Sequence, residues 1–523
     1  MQGYNSWGGY APGAPSNLPL GLDLALEATQ HMLADNFIEW TDKLLHNKGR
    51  TVELRMLGAR IVLTDHSENI KAVMSTKFSN FVKGNNMHDA FNSVLGNSIF
   101  STDGEQWLAN KNTLRPHVAK IRESDRGKIE KHVQNLLRVI SSAGSPIEIY
   151  DVIDRYQLDV VTDVFLGKPA NSLTEQRQPF RKAIDHLFRL NTRRLLLAPL
   201  GLLVPDTWLA RKSFRDYDAY LDTIVSQAST PSTDEVASKG NLEHTMMDSM
   251  VANGLSPKAI KDQLTAVLLA AKDPVAILLS WCLYELSRAP GVLQRLQREI
   301  ETITGTGLPT QETIAEMPYL KNVINETIRL YHPVGINVRE AQVDTFLPVG
   351  GGPDGNQPVG VPAGTTIAYS TIGLQRREDI VGADHDKFRP ERWETWTPDT
   401  WEFIPFNHGP RICLGRRFGL FQLGYTLARL VQAFDKIEEV KIGPSPQKIR
   451  ALPSIVHFGE ARPASALPVH VDTCSKQAGL DNGGKVPYRR SSIFWGRLRM
   501  DLAWDPIERT KMAQGQTQTA YRS

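Results

Sequence analysis

The segment Pro405–Leu430, PFNHGPRICLGRRFGLFQLGYTLARL, limits the fold more than any other stretch. It places Cys413 between Gly409 and Gly415, ahead of apolar residues at Phe418, Leu420, Phe421, Leu423, Tyr425, Leu427 and Leu430 whose spacing predicts a helix. The glycines allow a tight loop. A thiol just before a helix start meets amide N–H groups and the positive end of the helix dipole, which favour the thiolate. Such a sulfur is a soft anionic metal ligand. A lone cysteine is more often a buried core residue, so its meaning depends on what surrounds it.

Composition narrows the classes. The chain has 523 residues, 41% hydrophobic and 22% charged, as an ordinary globular protein does. Sixty basic residues against 57 acidic leave a net charge of +3, which points to no nucleic-acid or other polyanionic partner. Three cysteines, Cys282, Cys413 and Cys474, are too few for a disulfide scaffold or a cysteine-rich zinc cluster. The amino terminus lacks the apolar core of a signal peptide, and no uninterrupted apolar run suits a membrane span, so no transmembrane segment is predicted.

Residues 1–19, rich in Gly, Pro, Ser and Asn, read as a flexible leader; 20–474 read as one domain and 475–523 as a loosely structured tail. Apolar periodicity predicts helices near 24–48, 104–120, 125–140, 151–166, 176–192, 211–228, 256–289, 291–304 and 317–331. Strands are predicted at Thr51–Leu57, Arg60–Thr64, Thr366–Ser370 and Pro468–Val471, and turn-rich loops at 229–241 and 347–364. The expected fold is therefore mainly α with small β-sheets.

Phe406, Gly409, Arg411, Cys413 and Gly415 match the signature F-x-x-G-x-R-x-C-x-G. With it the sequence resembles the cytochrome P-450 family, over about residues 18–472. Three further motifs follow the family's order: DGEQWLANKNTLRPHV with Trp107 and Lys111, the helix YLKNVINETIRLYHP with Glu326 and Arg329, and FRPERW with Arg392. The resemblance implies the cytochrome P-450 fold and heme b (iron protoporphyrin IX) with Cys413 as axial thiolate. It implies a structural triad of Glu326, Arg329 and Arg392. It also implies cofactor contacts from Trp107, Lys111, Arg339, Phe406, Arg411 and Gly415. For Arg339 a solvated strand-end arginine is the competing reading. Lys111 stands where the family usually has arginine, keeping the charge but losing the bidentate fork. His408 reads as a loop histidine, Cys282 as core, and Cys474 has no evident role.

One motif departs from the family. Where the pattern is [Ala/Gly]-Gly-x-[Asp/Glu]-Thr-[Thr/Ser], this chain has Ala270-Ala271-Lys272-Asp273-Pro274-Val275. Asp273 keeps the acid, but Pro274 replaces the threonine whose hydroxyl serves proton delivery during oxygen activation. Proline also lacks an N–H and crowds the carbonyl four residues back, so the helix is expected to kink or open there. Both are assigned to the catalytic region.

The resemblance implies a heme-thiolate monooxygenase that inserts one atom of O2 into a lipophilic substrate. No flavin or nicotinamide domain is evident, so NADPH would act indirectly, through a separate NADPH-cytochrome P-450 reductase. RREDIVGADHDKFRPERW and LPVGGGPDG resemble fungal microsomal hydroxylases of alkanes and fatty acids, which points to a fatty acid or the alkyl part of a polyketide-type secondary metabolite. Peripheral membrane contact is expected through RRLLLAPLGLLVPDTWLA, residues 193–210, on the cytoplasmic side of the endoplasmic reticulum or in the cytoplasm. The alternative is a heme-binding paralogue without turnover.

Overall fold

The computed structural model describes residues 9–34, 36–143, 147–175, 177–196, 206–229, 245–439, 450–452, 460–462 and 468–473. They belong to one compact unit, Met1–Lys476. Ser229, the first residue of the loop predicted at 229–241, ends the helix Arg211–Ser229, and the rest of that loop, the segment 197–205, Cys474 and the tail lie outside the described residues.

The protein is mostly helical, with small sheets at its margin. Its axis is the 32-residue helix Pro257–Arg288, capped by Ser256, whose side chain accepts from the Ala259 amide, and opened by Pro257 at its first position. This cavity helix is apolar on nearly every side because helices surround it. Among the described residues it alone is long and apolar enough to cross a membrane, but 83% of its apolar window is buried inside the protein. Against it pack the brace helix Ile149–Leu166, buried along most of its length, and the helix Arg416–Ala433 that follows Cys413.

The first eight strands are β1 Thr51–Met56, β2 Ala59–Thr64, β3 Phe81–Val82, β4 Ile147–Glu148, β5 Ile336–Ala341, β6 Thr345–Gly351, β7 Gln357–Val361 and β8 Thr366–Ser370. The main sheet runs β1-β2-β8-β5-β3; β2 and β8 are parallel with Val62 opposite Ile367, and β5 meets β8 antiparallel with Asn337 opposite Tyr369. Strand Pro468–Thr473 pairs with β4 and with Phe434–Glu439.

Several expectations need correction. The helix expected over 24–48 is two, Leu22–Leu33 and Phe37–Asn47. Asn36 interrupts them: its side-chain oxygen lies 2.8 Å from His31 Nδ1 and its amide returns to the His31 carbonyl, a local bond that competes with the helix ladder. The expected loop 347–364 is largely the β6–β7 hairpin, which buries Leu347, Val359 and Val361 despite its glycines. Part of the expected flexible leader is strapped down, with Gly9 bridging to Val359 and Gly13 to Glu53. Helices Asn85–Leu95 and Met246–Ala252 were not predicted.

Candidate active site

Cys413 and the middle of the cavity helix face each other across a cavity of about 240 Å³. One wall is the loop Pro405–Gly415 with Phe418 and Leu420. The opposite wall is Val267, Ala270, Ala271, Pro274, Val275 and Leu278, and Ile99, Phe100 and Val334 close the sides. Cys413 is deep in the protein, yet its surface is open to this cavity.

The loop is held by its backbone. The Cys413 amide donates to the Phe406 carbonyl at 2.9 Å, and Gly415 caps the following helix. Of the two glycines, only Gly409 has a conformation that demands glycine, with φ +66°. A Cβ there would lie 2.0 Å from the Met74 carbonyl oxygen. Gly415 has φ −86°, open to any residue. Nothing lies within 4 Å of where its Cβ would be, so its bareness leaves space beside the sulfur. Burial raises the Cys413 thiol pKa, opposed by the Gly415 amide and by Arg416. In the protein alone burial wins over the helix-start effect expected from sequence.

A shelf of cations lies on the cysteine side. Arg411 donates to the Thr102 carbonyl at 2.9 Å and to Asp103 Oδ1 at 2.6 Å, and its guanidinium stands 4.5 Å from the Trp107 ring centre. Lys111 donates to the Pro410 carbonyl at 2.9 Å and lies 5.0 Å from the same ring. Arg339 is buried, not a solvated strand-end residue. It shares the Asn337 side-chain oxygen with Lys83, at 3.2 and 3.4 Å. Lys83, 3% exposed, had no signal in the sequence. Burial pushes its pKa well down, helped by Arg339 and Arg411 and opposed by Asp103. Burial, then Arg339, lower Arg411 to about 10. Nearby, the buried Tyr369 hydroxyl has no hydrogen-bond partner among the described residues. Several cations and a spare hydroxyl served by one nearby carboxylate, Asp103, fit an additional anionic group.

Glu326, Arg329 and Arg392 form one buried cluster beyond the cavity. Glu326 accepts from Arg329 at 2.8 and 2.9 Å, from Arg392 at 3.2 Å, from the Trp393 indole at 3.0 Å and from the Arg389 amide at 3.0 Å. Arg392 also reaches Asp384 at 2.7 Å, a partner that sequence did not indicate. His332, likewise missed, lines the cavity; burial lowers its pKa to about 4, against hydrogen bonds with the Ile404 carbonyl and Val334 amide.

The structure separates the two residues expected together over the cavity. Pro274 lines it; Asp273 does not. The Asp273 carboxylate turns to Lys272 at 2.5 Å. The Lys272 ammonium is fully buried and also meets Asp154 at 2.7 Å and Asp185 at 3.3 Å. Burial opposes its charge, but the three carboxylates outweigh it and hold its pKa well above the usual lysine value. The expected opening at Pro274 is also absent: the helix continues unbroken from Pro257 to Arg288, held from behind by the brace helix. His408 packs against Trp401, ring centres 4.7 Å apart, as a loop residue. Cys282 is core, its thiol bonded to Thr327 at 3.2 Å.

The cytochrome P450 family profile matches residues 12–454. A cytochrome P450 monooxygenase of Talaromyces variabilis, pvhE, is 38% identical over 463 residues, covering 83% of this chain and 85% of its own length. Cytochrome P450 monooxygenase fsdH of Fusarium heterosporum is 34% identical, covering 81% of this chain and 77% of its own. Cytochrome P450 52A3-B of Candida maltosa is 34% identical, covering 80% and 84%. With a profile spanning most of its length and relatives aligned over about four-fifths of it, the chain belongs to the cytochrome P450 family, as a monooxygenase of mainly α fold.

Proposed function

We propose that Cys413 is the axial ligand of heme b and that the enzyme hydroxylates an aliphatic part of a lipophilic substrate, a fatty acid or a polyketide-type metabolite. The observation that carries this is the cavity itself, with an accessible thiol on one wall and an apolar helix on the other. Lys83, Lys111, Arg339 and Arg411 would neutralise the two heme propionates, Tyr369 would donate to one of them, and Trp107 would orient Lys111 and Arg411. Gly415 and Phe406 would leave room and packing beside the ring. When bound, heme supplies the oxygen-activating redox chemistry, tuned by the thiolate.

The chain's own residues then do three things. The cation shelf orients the cofactor. The wall of Val267, Ala270, Ala271, Pro274 and Val275 excludes water and offers a substrate hydrocarbon rather than polar contact. With Pro274 in place and Asp273 turned away, that wall presents no side-chain hydroxyl or carboxylate. A proton would reach the reacting centre through water at backbone carbonyls or through a hydroxyl of the substrate. Electrons would come from NADPH through a separate reductase docking near the exposed Arg416, Arg417 and Lys120. Trp208 and Leu209, 69% and 46% exposed, suit peripheral contact with the cytoplasmic face of a membrane.

The test has two stages. The reduced carbon monoxide complex should show the red-shifted Soret band of thiolate ligation, lost in Cys413→His; a retained band overturns the ligand. Spin-state titration with fatty acids of graded chain length then reads the substrate class. Heme binding without turnover under any donor, peroxide included, would favour the non-turnover paralogue.

A further inference from the structure

The cavity helix carries a built-in weak point. Pro274 has no amide hydrogen, so the Ala270 carbonyl loses the donor that a helix supplies four residues on. The next carbonyl, Ala271, is where the rest of the protein takes hold. The Gln157 side-chain nitrogen, on the brace helix, donates to the Ala271 oxygen at 2.9 Å. Gln157 and Gln422 are both fully buried and exchange two bonds: Gln157 Nε2 donates to Gln422 Oε1 at 3.1 Å, and Gln422 Nε2 donates to Gln157 Oε1 at 2.8 Å. Gln422 lies on the helix that begins just past Cys413. One turn before Gln157, Asp154 grips Lys272.

The three helices are thus tied by one amide line, from the helix after the cysteine, through the brace helix, to a carbonyl on the far wall of the cavity. Ala270, Ala271 and Pro274 all line that cavity. A reciprocal amide pair has a fixed orientation, because each glutamine is both donor and acceptor and a flip of either would set like atoms face to face.

We propose that Gln157, oriented by Gln422, is a positioning residue that fixes the Ala271 segment of the cavity wall where Pro274 has removed the helix's own bond. It acts on the wall and does not touch the reacting atoms. The clasp is built from side-chain and backbone groups of three helices alone, so its failure and that of the heme assignment are separable.

The experiment is a double-mutant cycle read by hydrogen exchange on the heme-loaded protein. Gln157→Leu should speed exchange in the peptide 268–276 by about tenfold through easier local opening. Pro274→Ala restores the missing donor to the Ala270 carbonyl, and in that background the same substitution should have a several-fold smaller effect. A residue that merely fills space would accelerate exchange equally in both backgrounds, and that result overturns the proposal, as does no acceleration in either. If Gln157→Leu does not load heme, Gln157→Met serves instead. It keeps length and bulk but offers the Ala271 carbonyl no donor, and the same background dependence is expected. The carbon monoxide band should be unchanged in every variant; loss of the band in Gln157→Met with normal exchange would place the effect at the cysteine and overturn the assignment.

Discussion

Arg329 grips Glu326 with two parallel bonds, 2.9 Å from Nε and 2.8 Å from Nη2, and neither side chain has any exposure to solvent. One turn apart on a helix, such a pair at the surface would contribute little. Here its remaining donors and acceptors are taken up by Arg392, Trp393 and the backbone of 375–387. Glu326→Gln would leave two buried guanidinium groups without their shared carboxylate, at a cost of about 3–5 kcal/mol. Chemical denaturation should show that loss, together with poor heme incorporation. A change below about 1 kcal/mol would mean the cluster relaxes on loss of the charge.

Lys83 should have opposite effects with and without the cofactor. Burial drives its amine toward the neutral form, and Nζ donates to the Asn337 oxygen. Lys83→Met is expected to stabilise the heme-free protein, since a poorly compensated buried polar group is removed. In the loaded protein it should speed heme loss by about tenfold, or 1.4 kcal/mol, if the lysine meets a propionate. Heme transfer to an apo-globin acceptor measures this, and equal retention would remove Lys83 from the site.

His332 gives a pH dependence of defined sign. Burial holds its folded pKa at about 4, below the ordinary 6.5. Between these values the unfolded chain binds a proton that the folded protein does not. The stability of neutral His332 is therefore complete above pH 6.5 and falls as pH drops toward 4, by up to about 1.4 kcal/mol per unit. His332→Asn should flatten that part of the stability curve relative to the parent. Parallel curves would show that this histidine charges without penalty.

Pro274 should show itself in coupling. A wall without a hydroxyl predicts that poor substrates send most reducing equivalents to peroxide, and that only a well-fitted substrate gives product in proportion to NADPH. Pro274→Thr should raise product per NADPH with simple fatty acids. Efficient coupling by the parent with fatty acids lacking a hydroxyl near the reacting carbon, unchanged in the variant, would remove the proline from oxygen activation.

Reversing Arg416 and Arg417 to Glu should slow reduction by the reductase and weaken its salt dependence, since exposed charges act mainly on association. Stopped-flow reduction at two ionic strengths reads both, and unchanged rates would move the docking face elsewhere.

The helices with regular apolar spacing were legible because burial imposes a period, and the cavity helix was bounded to within a residue at each end. The β6–β7 hairpin was not, since its glycines read as turns while three buried side chains decide its structure. The cysteine loop was visible as a pattern of residues close in sequence. Lys83 and Gln157 were invisible for the opposite reason. Each gains its meaning from a partner more than 250 residues away, Asn337 for one and Gln422 for the other, and a single sequence carries no sign of such pairs. Asp273 was misplaced because adjacency in sequence says nothing of which side of a helix a carboxylate takes, and the buried Lys272 drew it away.

Gly409 has a practical consequence for anyone who diversifies this enzyme. The Met74 carbonyl stands where even a methyl group would have to go, and the positive φ forbids easy relief. Saturation of position 409 should therefore return glycine alone among active clones. Neighbouring Asn407, which already holds a left-handed backbone with a side chain in place, should tolerate glycine or aspartate. Mutational freedom around the sulfur is thus uneven over three residues, and libraries gain by leaving the first glycine untouched and spending their diversity on the opposite wall.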